Sequence, residues 1–420
     1  MFDLVLRNGL LVDPVNNIIS RLNLGIKDGK IAAITARTIQ GKEEIDCAGK
    51  VVSPGFVDMH MHEDPMNDTG DGFKLCIAMS MLKMGVTTAV GGNCGIGPVD
   101  SLKYLELADA LGYPINIGLL SSHDNLRKHI GDFVKYSPVN DDCVEKMCNK
   151  LEKELEGGTL GLSFGVRYIP GLDSNELKKL SGTTARKGKL LTAHVRDDAA
   201  QVIPSIMELA EIAAEEGARL QLSHIGSMAA FGQMDQVLSL VDSLNANGMD
   251  IGLDCYPYSA FATLAGSTTY DEGFLKRYSV DYSALEVSQG EFKGRRLDET
   301  SFLKVRAEHP EYIMIAHVMK ENEVESALKH PRTAIASDGI LNEGNGHPRA
   351  AGTFPRILGY YARDRKLFSL FDAIRKMTLL PSERLGIDKG HLSIGADADI
   401  TVFDPDKIVD TADFGNPLSP

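Results

Sequence analysis

The sequence predicts an α/β protein: a (β/α)8 TIM barrel with a small β-sandwich domain built from both chain ends. Three observations predict it. From about residue 51 onward, short apolar strand candidates alternate with helix-length amphipathic stretches, as in a barrel. The first 50 residues hold strand-like runs and turns but no helical period. Strand signals return near residue 392, where the opening β segment needs a partner. The expected division is residues 1–52 with 390–420 for the small domain and 53–389 for the barrel.

In chain order, Leu4-Val5-Leu6, Gly9-Leu10-Leu11-Val12 and Ile31-Ala32-Ala33-Ile34 read as strands, and Asn8-Gly9 and Asp28-Gly29 as turn dipeptides. Eight barrel strands are expected at 51–58, 87–90, 115–120, 159–163, 190–194, 220–224, 251–254 and 333–338. Helices are expected between them at 101–111, 141–156, 174–187, 199–216 and 234–246, with apolar residues recurring at three- and four-residue intervals. The long interval before the eighth strand carries a polar, charged insertion at about 262–311. It reads as a lid or substrate-binding element, or as a solvated excursion without a role. A further helix is expected at 370–377, and 392–403 reads as a turn followed by a strand.

Composition narrows the function. With 44 basic and 58 acidic residues the formal net charge is -14, a surface that repels phosphate backbones and argues against nucleic acid as a partner. No apolar run is long enough to span a membrane. The first residues, Met1 to Arg7, lack a basic flank followed by an apolar core, so no secretion signal is expected. Six dispersed cysteines without a CxxC pair are expected to be reduced thiols of a cytoplasmic protein.

Six residues read as one metal site: His60, His62, Cys94, His194, His224 and Asp338. Each stands where an apolar strand gives way to a loop, and a parallel barrel gathers those ends on one face. His60 and His62, two residues apart, point to the same side of a strand end. Cys94 lies in the glycine-rich Gly91-Gly92-Asn93-Cys94-Gly95, where a thiolate is a strong ligand for Zn²⁺. Asp338 could ligate the ion or take a proton from water held there. Singly, each has a plainer reading: a hydrogen-bonded histidine, a buried thiol, an Asp-Gly turn. Their conjunction at strand ends favours the metal. His123 and His347, on the same face, stay open between structure and function, whereas His309, His317, His330 and His391 read as surface or turn residues. Ser163 and Ser223 read as packing or hydrogen-bonding residues.

At these residues the chain resembles the amidohydrolase superfamily, and within it the N-acyl-D-amino-acid deacylase (D-aminoacylase) group. The resemblance runs through Pro54-Gly55-Phe56-Val57-Asp58-Met59-His60-Met61-His62, Gly92-Asn93-Cys94-Gly95, Ala193-His194-Val195-Arg196, Ser223-His224, Ser337-Asp338-Gly339 and His347-Pro348-Arg349. It implies one tight zinc held by Cys94, His194 and His224, and a weaker or optional second position formed by His60, His62 and Asp338. It also implies a small-molecule amide substrate attacked by metal-activated water, with Asp338 as general base and then acid. Arg349 and Tyr256 match the residues that the group uses to bind a substrate carboxylate.

Two absences bear on the resemblance, the first in favour of the deacylase group and the second a departure from it. Superfamily branches such as dihydroorotases and hydantoinases carry a metal-bridging lysine after the fourth strand, and Leu162-Ser163-Phe164-Gly165 has none. The group commonly places a lysine two residues after the second zinc-binding histidine, where this chain has Gly226. Arg167 and Arg196 could compensate, and a cyclic-amide substrate stays open beside the linear one. A non-catalytic barrel is the least favoured reading, because the whole ligand set is present.

Overall fold

A computed structural model describes residues 1–131 and 134–419; Pro420, the last residue of the expected small domain, lies outside them. Strands β1 (Phe2–Asp13), β2 (Ile18–Lys27), β3 (Lys30–Thr35), β4 (Gly41–Asp46) and β5 (Val51–Pro54) open the chain. The barrel strands are β6 (Phe56–Asp58), β7 (Val86–Gly91), β8 (Asn116–Leu119), β9 (Ser121–Ser122), β10 (Gly161–Gly165), β11 (Leu190–His194), β12 (Arg219–Leu222) and β13 (Ile251–Cys255), joined later in the chain by Thr333–Ile335. There follow β14 (Phe261–Leu264), β15 (Leu285–Val287), β16 (Ile313–Ala316), β17 (Thr333–Ile335), the short pair β18 (Leu341–Asn342) and β19 (Asn345–Gly346), and β20 (Ile400–Phe403).

The small unit is a six-stranded sheet in the order β20-β5-β1-β2-β3, with β4 also paired to β1. Both chain ends therefore supply it. Leu6, Leu11, Leu24, Ile31, Cys47, Val52 and Leu392 form its own buried core. Asp28-Gly29 makes the expected two-residue turn, with φ of 51° and 70°, as a twisted hairpin prefers. Asn8-Gly9 does not turn the chain. The register shifts between Leu6 and Gly9 inside one long strand, so the dipeptide is a bulge. Asn8 tolerates φ of 63° there. Its backbone N–H donates to Asn23 Oδ1 at 2.9 Å, and its side chain to Asp46 Oδ1 at 2.9 Å.

The expected strand at 51–58 is split at Gly55. Val51–Pro54 pairs with β1 and β20, whereas Phe56–Asp58 pairs in parallel with β7. A Cβ at Gly55 would come within 2.0 Å of Thr87 Oγ1, so close approach to β7 accounts for the glycine. The barrel consists of two parallel runs, β6-β7-β8 and β9-β10-β11-β12-β13-β17. β8 and β9 are separated by Leu120 alone. Between β17 and β6 no ladder forms. The join is made beyond the strand ends, where Asp338 N–H donates to His60 O at 2.7 Å and His62 N–H to Gly339 O at 2.9 Å. That join brings the last strand's acid onto the first strand's histidines.

The insertion is not a solvated excursion. β14, β16 and β15 form an antiparallel sheet, and Phe261, Tyr270, Phe274, Tyr278 and Phe302 pack as a buried aromatic cluster. The aromatics are spaced singly among charged residues, which hides their common face from a window average. Ala262, Thr263 and Leu264 line the cavity that also holds Cys94, His224 and Asp338 in its wall.

His123 proves structural. Arg127, His123 and Glu176 form a buried ion cluster, with Arg127 Nη2 2.5 Å and His123 Nε2 2.7 Å from Glu176. Burial alone would raise the Glu176 carboxyl, but hydrogen bonds from Arg127 and His123 hold it below its ordinary value. Glu176→Gln should therefore leave Arg127 unneutralised and cost about 3–5 kcal/mol of stability, measurable as a fall in the denaturant midpoint. Among the described residues no helix is long and apolar enough to cross a membrane.

Candidate metal centre

The six predicted residues converge. Met59 and Met61 turn into the apolar interior, and their neighbours His60 and His62 face the centre of the barrel mouth. Cys94 sits on the turn Asn93–Gly95 with φ of 54°, between Gly92 at 77° and Gly95 at 71°. His224 and Asp338 are also left-handed, at φ of 34° and 49°. Three such non-glycine residues at strand ends mark a place where local strain is held by its surroundings.

The supports are explicit. Gly92 N–H donates to Glu63 at 2.7 Å, Asn93 Nδ2 to Val90 O at 2.9 Å, and Gly95 N–H to Ser163 Oγ at 2.9 Å. Asp254 accepts from His224 N–H at 2.7 Å and lies 3.0 Å from His60 Nδ1. Ser227 Oγ lies 3.0 Å from His224 Nδ1. A Cβ at Gly165 would stand 2.0 Å from Cys94 O. Gly165→Ala should displace the thiol loop. Zinc affinity should fall at least about 10-fold, the scale on which outer-shell changes act, as read by chelator competition.

Cys94 Sγ lies 3.2 Å from His224 Nε2 and 3.3 Å from His60 Nε2. Two groups form within 4.8 Å: Cys94, His194 and His224, and His60, His62, Cys94 and Asp338. Cys94 is common to both. Tetrahedral zinc, with Zn–S near 2.3 Å and Zn–N near 2.0 Å, separates such ligand atoms by about 3.5 Å, so the donor set fits the ion. His194 Nδ1, buried without a hydrogen-bond partner, fits a site that needs a further group.

Electrostatics favour a cation. Burial would raise the Cys94 thiol, but His224 and His60 drive it well below its ordinary value, towards thiolate. Burial would lower His60, yet Cys94, Asp254 and Asp338 raise it well above the ordinary range. His62, lowered by burial and raised by Asp338 and Cys94, reaches about 9. His194 is depressed to about 4 by burial and by His224, leaving a neutral ring with a free lone pair. Asp338 resists the upward push of burial because Arg349 and His60 hold it well below the carboxylate range.

Asp338 Oδ1 is 3.3 Å from His62 and 3.4 Å from His60, and its Oδ2 is 3.0 Å from Arg349 Nη1. Arg349 is 1% exposed, donates to Ala262 O at 3.2 Å, and stacks 4.5 Å over the Tyr256 ring. His347 fixes it: His347 Nδ1 accepts from Arg349 N–H at 3.0 Å, and Nε2 donates to Ala260 O at 3.1 Å.

The expected substrate residues do not line the cavities. Arg349 reaches the site through Asp338. Tyr256 is buried with its hydroxyl towards Met319 Sδ at 3.9 Å. Arg167 is held by Asp197 at 2.6 Å, and Arg196 by Glu208 at 2.7 Å. A Cβ at Gly226 would meet Cys255 Sγ at 3.0 Å and Met319 Cε at 3.2 Å, so apolar groups fill the space a longer side chain would need. The cavity beside the ligands measures 480 Å³, within the usual range for small-molecule sites. Two residues missed from the sequence matter here. Tyr168 lines that cavity with its ring 4.7 Å from His194. Asp254 orients two histidines, and its place at the seventh strand's end could have exposed it. Tyr168, on a short turn, carries no such signal.

A thiolate, four imidazoles and a carboxylate at the mouth of an α/β barrel define a metal-dependent hydrolase class of site. A model of the Amidohydrolase family matches residues 173–415. The chain is 30% identical to the D-aminoacylase of Alcaligenes xylosoxydans xylosoxydans, over 99% of this chain and 91% of that protein. The N-acyl-D-glutamate deacylase of Bordetella bronchiseptica, solved with zinc and a phosphonate mimic of the tetrahedral intermediate, superposes with a TM-score of 0.88 at 28% identity, covering 99% and 93% of the two chains. A D-aminoacylase described as having a binuclear metal center gives a TM-score of 0.89 at 28% identity, over 100% and 93%. The chain belongs to the amidohydrolase family.

Proposed function

We propose that this protein is a zinc-dependent amidohydrolase that cleaves the acyl-amide bond of N-acyl-D-amino acids or close N-acyl analogues. The observation that carries the reading is Cys94 Sγ within 3.2–3.3 Å of two imidazoles, with His194 grouped on the same sulfur and Asp338 grouped with His60 and His62. The relatives named above support the substrate class. Cys94, His194 and His224 would hold the tight ion, and His60, His62 and Asp338, sharing Cys94, a second one. Bound zinc polarises an amide carbonyl and acidifies water.

The chain's own groups do the rest. Asp338 Oδ1 accepts the proton that water loses and returns it to the departing nitrogen, since an amine anion is a very poor leaving group. Arg349 keeps Asp338 aimed by holding Oδ2. Tyr168 closes one wall of the cavity beside His194. Arg349 and Tyr256 lie behind Asp338, and Arg167 is held by Asp197, so we assign them support of the site rather than contact with a substrate carboxylate, and place the protein in the cytoplasm, in keeping with its six free cysteines. A cyclic-amide preference lacks a specific observation in its favour, since β10 offers no lysine.

The test is a panel of N-acetyl D- and L-amino acids beside hydantoins and dihydroorotate, with zinc-loaded protein. Release of free D-amino acid is expected. Turnover confined to the cyclic compounds would overturn the assignment.

A further inference from the structure

Two cavities meet at the ligand cluster, and both are lined by Tyr168, His224 and Asp338. One is the 480 Å³ chamber, with Ile96, Ile169, Leu264 and Ile340 in its wall. The other measures 20 Å³, space for about one water-sized group. It runs past His194 to Asp198 and Tyr278. Asp198 is 4% exposed. Its Oδ2 accepts from the Tyr278 hydroxyl at 2.5 Å, whereas its Oδ1 has no hydrogen-bond partner. Arg277 Nη1 forms an ion pair with that oxygen at 3.6 Å, too long for a hydrogen bond, and both residues also line an outer cleft. Asp197, next in the chain, is taken up by Arg167. A buried carboxylate oxygen rarely goes unpaired in a folded protein. Asp198 lines a space one small group wide beside the reacting centre.

We propose that the short arm receives the acyl group, and that Asp198 selects a small acyl group bearing an N–H donor, the carbamoyl group of an N-carbamoyl amino acid. The inference rests on the amide-hydrolase reading above. Carbamoyl and acetyl have nearly the same size. The carbamoyl –NH2 donates to Asp198 Oδ1, whereas an acetyl methyl leaves that oxygen without a hydrogen bond. Longer acyl chains exceed the arm. In the reaction the bond between the carbonyl carbon and the substituted nitrogen breaks, and a bond from that carbon to the water oxygen forms. One water proton goes to the amine through Asp338. The products are the free amino acid and carbamic acid, which dissociates into carbon dioxide and ammonia. The apolar wall of the larger chamber suits an aliphatic side chain on the amine half.

The experiment compares N-carbamoyl-, N-acetyl- and N-butyryl-D-leucine with zinc-loaded enzyme, reading free D-leucine. Carbamoyl should exceed acetyl in kcat/KM by roughly 10- to 100-fold, the scale of one hydrogen bond to a charged acceptor, and butyryl should trail both. In Asp198→Ala the carbamoyl-to-acetyl ratio should collapse towards one, whereas Asp198→Asn, which keeps an oxygen acceptor, should retain part of it. A merely structural Asp198 would lower both substrates alike and leave the ratio intact, which overturns the proposal, as does a wild-type preference for acetyl. Calorimetric binding of the carbamoyl and acetyl compounds to the Asp338→Asn enzyme reads the same preference without turnover. Acetyl cleavage with no carbamoyl preference defeats this inference alone. Failure to cleave any N-acyl compound defeats the amide-hydrolase reading, and the binding ratio still decides the role of Asp198.

Discussion

Cys94→Ala should strip the tightly held metal and abolish hydrolysis. Cys94 is the residue common to both groups of donor atoms, so on the proposed assignment its loss would remove the sulfur donor of the tight site and the link to the second. It also leaves His60 and His224 facing each other without the thiolate that now lies 3.3 Å and 3.2 Å from them. Loss of one ligand should exceed the roughly 10- to 100-fold drop in metal affinity that follows loss of a supporting residue. Zinc measured after dialysis against a chelator should fall from stoichiometric to background, with activity falling in parallel. Full zinc and full activity in this variant would remove Cys94 from the centre. The change should leave the fold intact, because Cys94 lies on a turn rather than in a strand.

Asp338→Asn should keep the metal and lose turnover. The amide is nearly isosteric with the carboxylate, so the backbone bond from Asp338 N–H to His60 O at 2.7 Å is undisturbed. It cannot carry a proton from water to nitrogen, and removing such a carrier costs about 10²- to 10⁴-fold in kcat. The Arg349 guanidinium, 1% exposed and 3.0 Å from Asp338, would lose its counter-charge. A lowered melting temperature should accompany the catalytic loss. Arg349→Met in the same background should restore part of that stability without restoring kcat. Normal kcat in Asp338→Asn would exclude the residue as proton carrier.

The strand-end rule made the metal cluster legible. His60, His62, Cys94, His194, His224 and Asp338 each follow a short apolar run, and barrel geometry alone brings such positions together. The helices were legible for a related reason. Asp141–Glu156 and Leu370–Met377 carry an apolar face at helical spacing, and their bounds match the expectation. What stayed hidden depends on contacts between distant segments. Nothing near Arg349 in the sequence shows that Asp338 would occupy its guanidinium, or that Tyr256 would lie beneath it facing Met319. Arg167 and Arg196 looked equally available, and only the fold assigns them to Asp197 and Glu208. The split at Gly55 was hidden because Val51–Pro54 and Phe56–Asp58 form one apolar run serving two different sheets. Asn8-Gly9 has turn chemistry, but the bulge uses the same left-handed φ that a turn would.

The central claim is that a thiolate and imidazoles at the barrel mouth hold one ion. X-ray absorption at the zinc edge, on protein loaded with a single equivalent of metal, tests it most directly. The account predicts one sulfur at about 2.3 Å with nitrogen neighbours at about 2.0 Å, and loss of the sulfur shell in Cys94→Ala. A first shell of nitrogen and oxygen alone in the unmutated protein would contradict it.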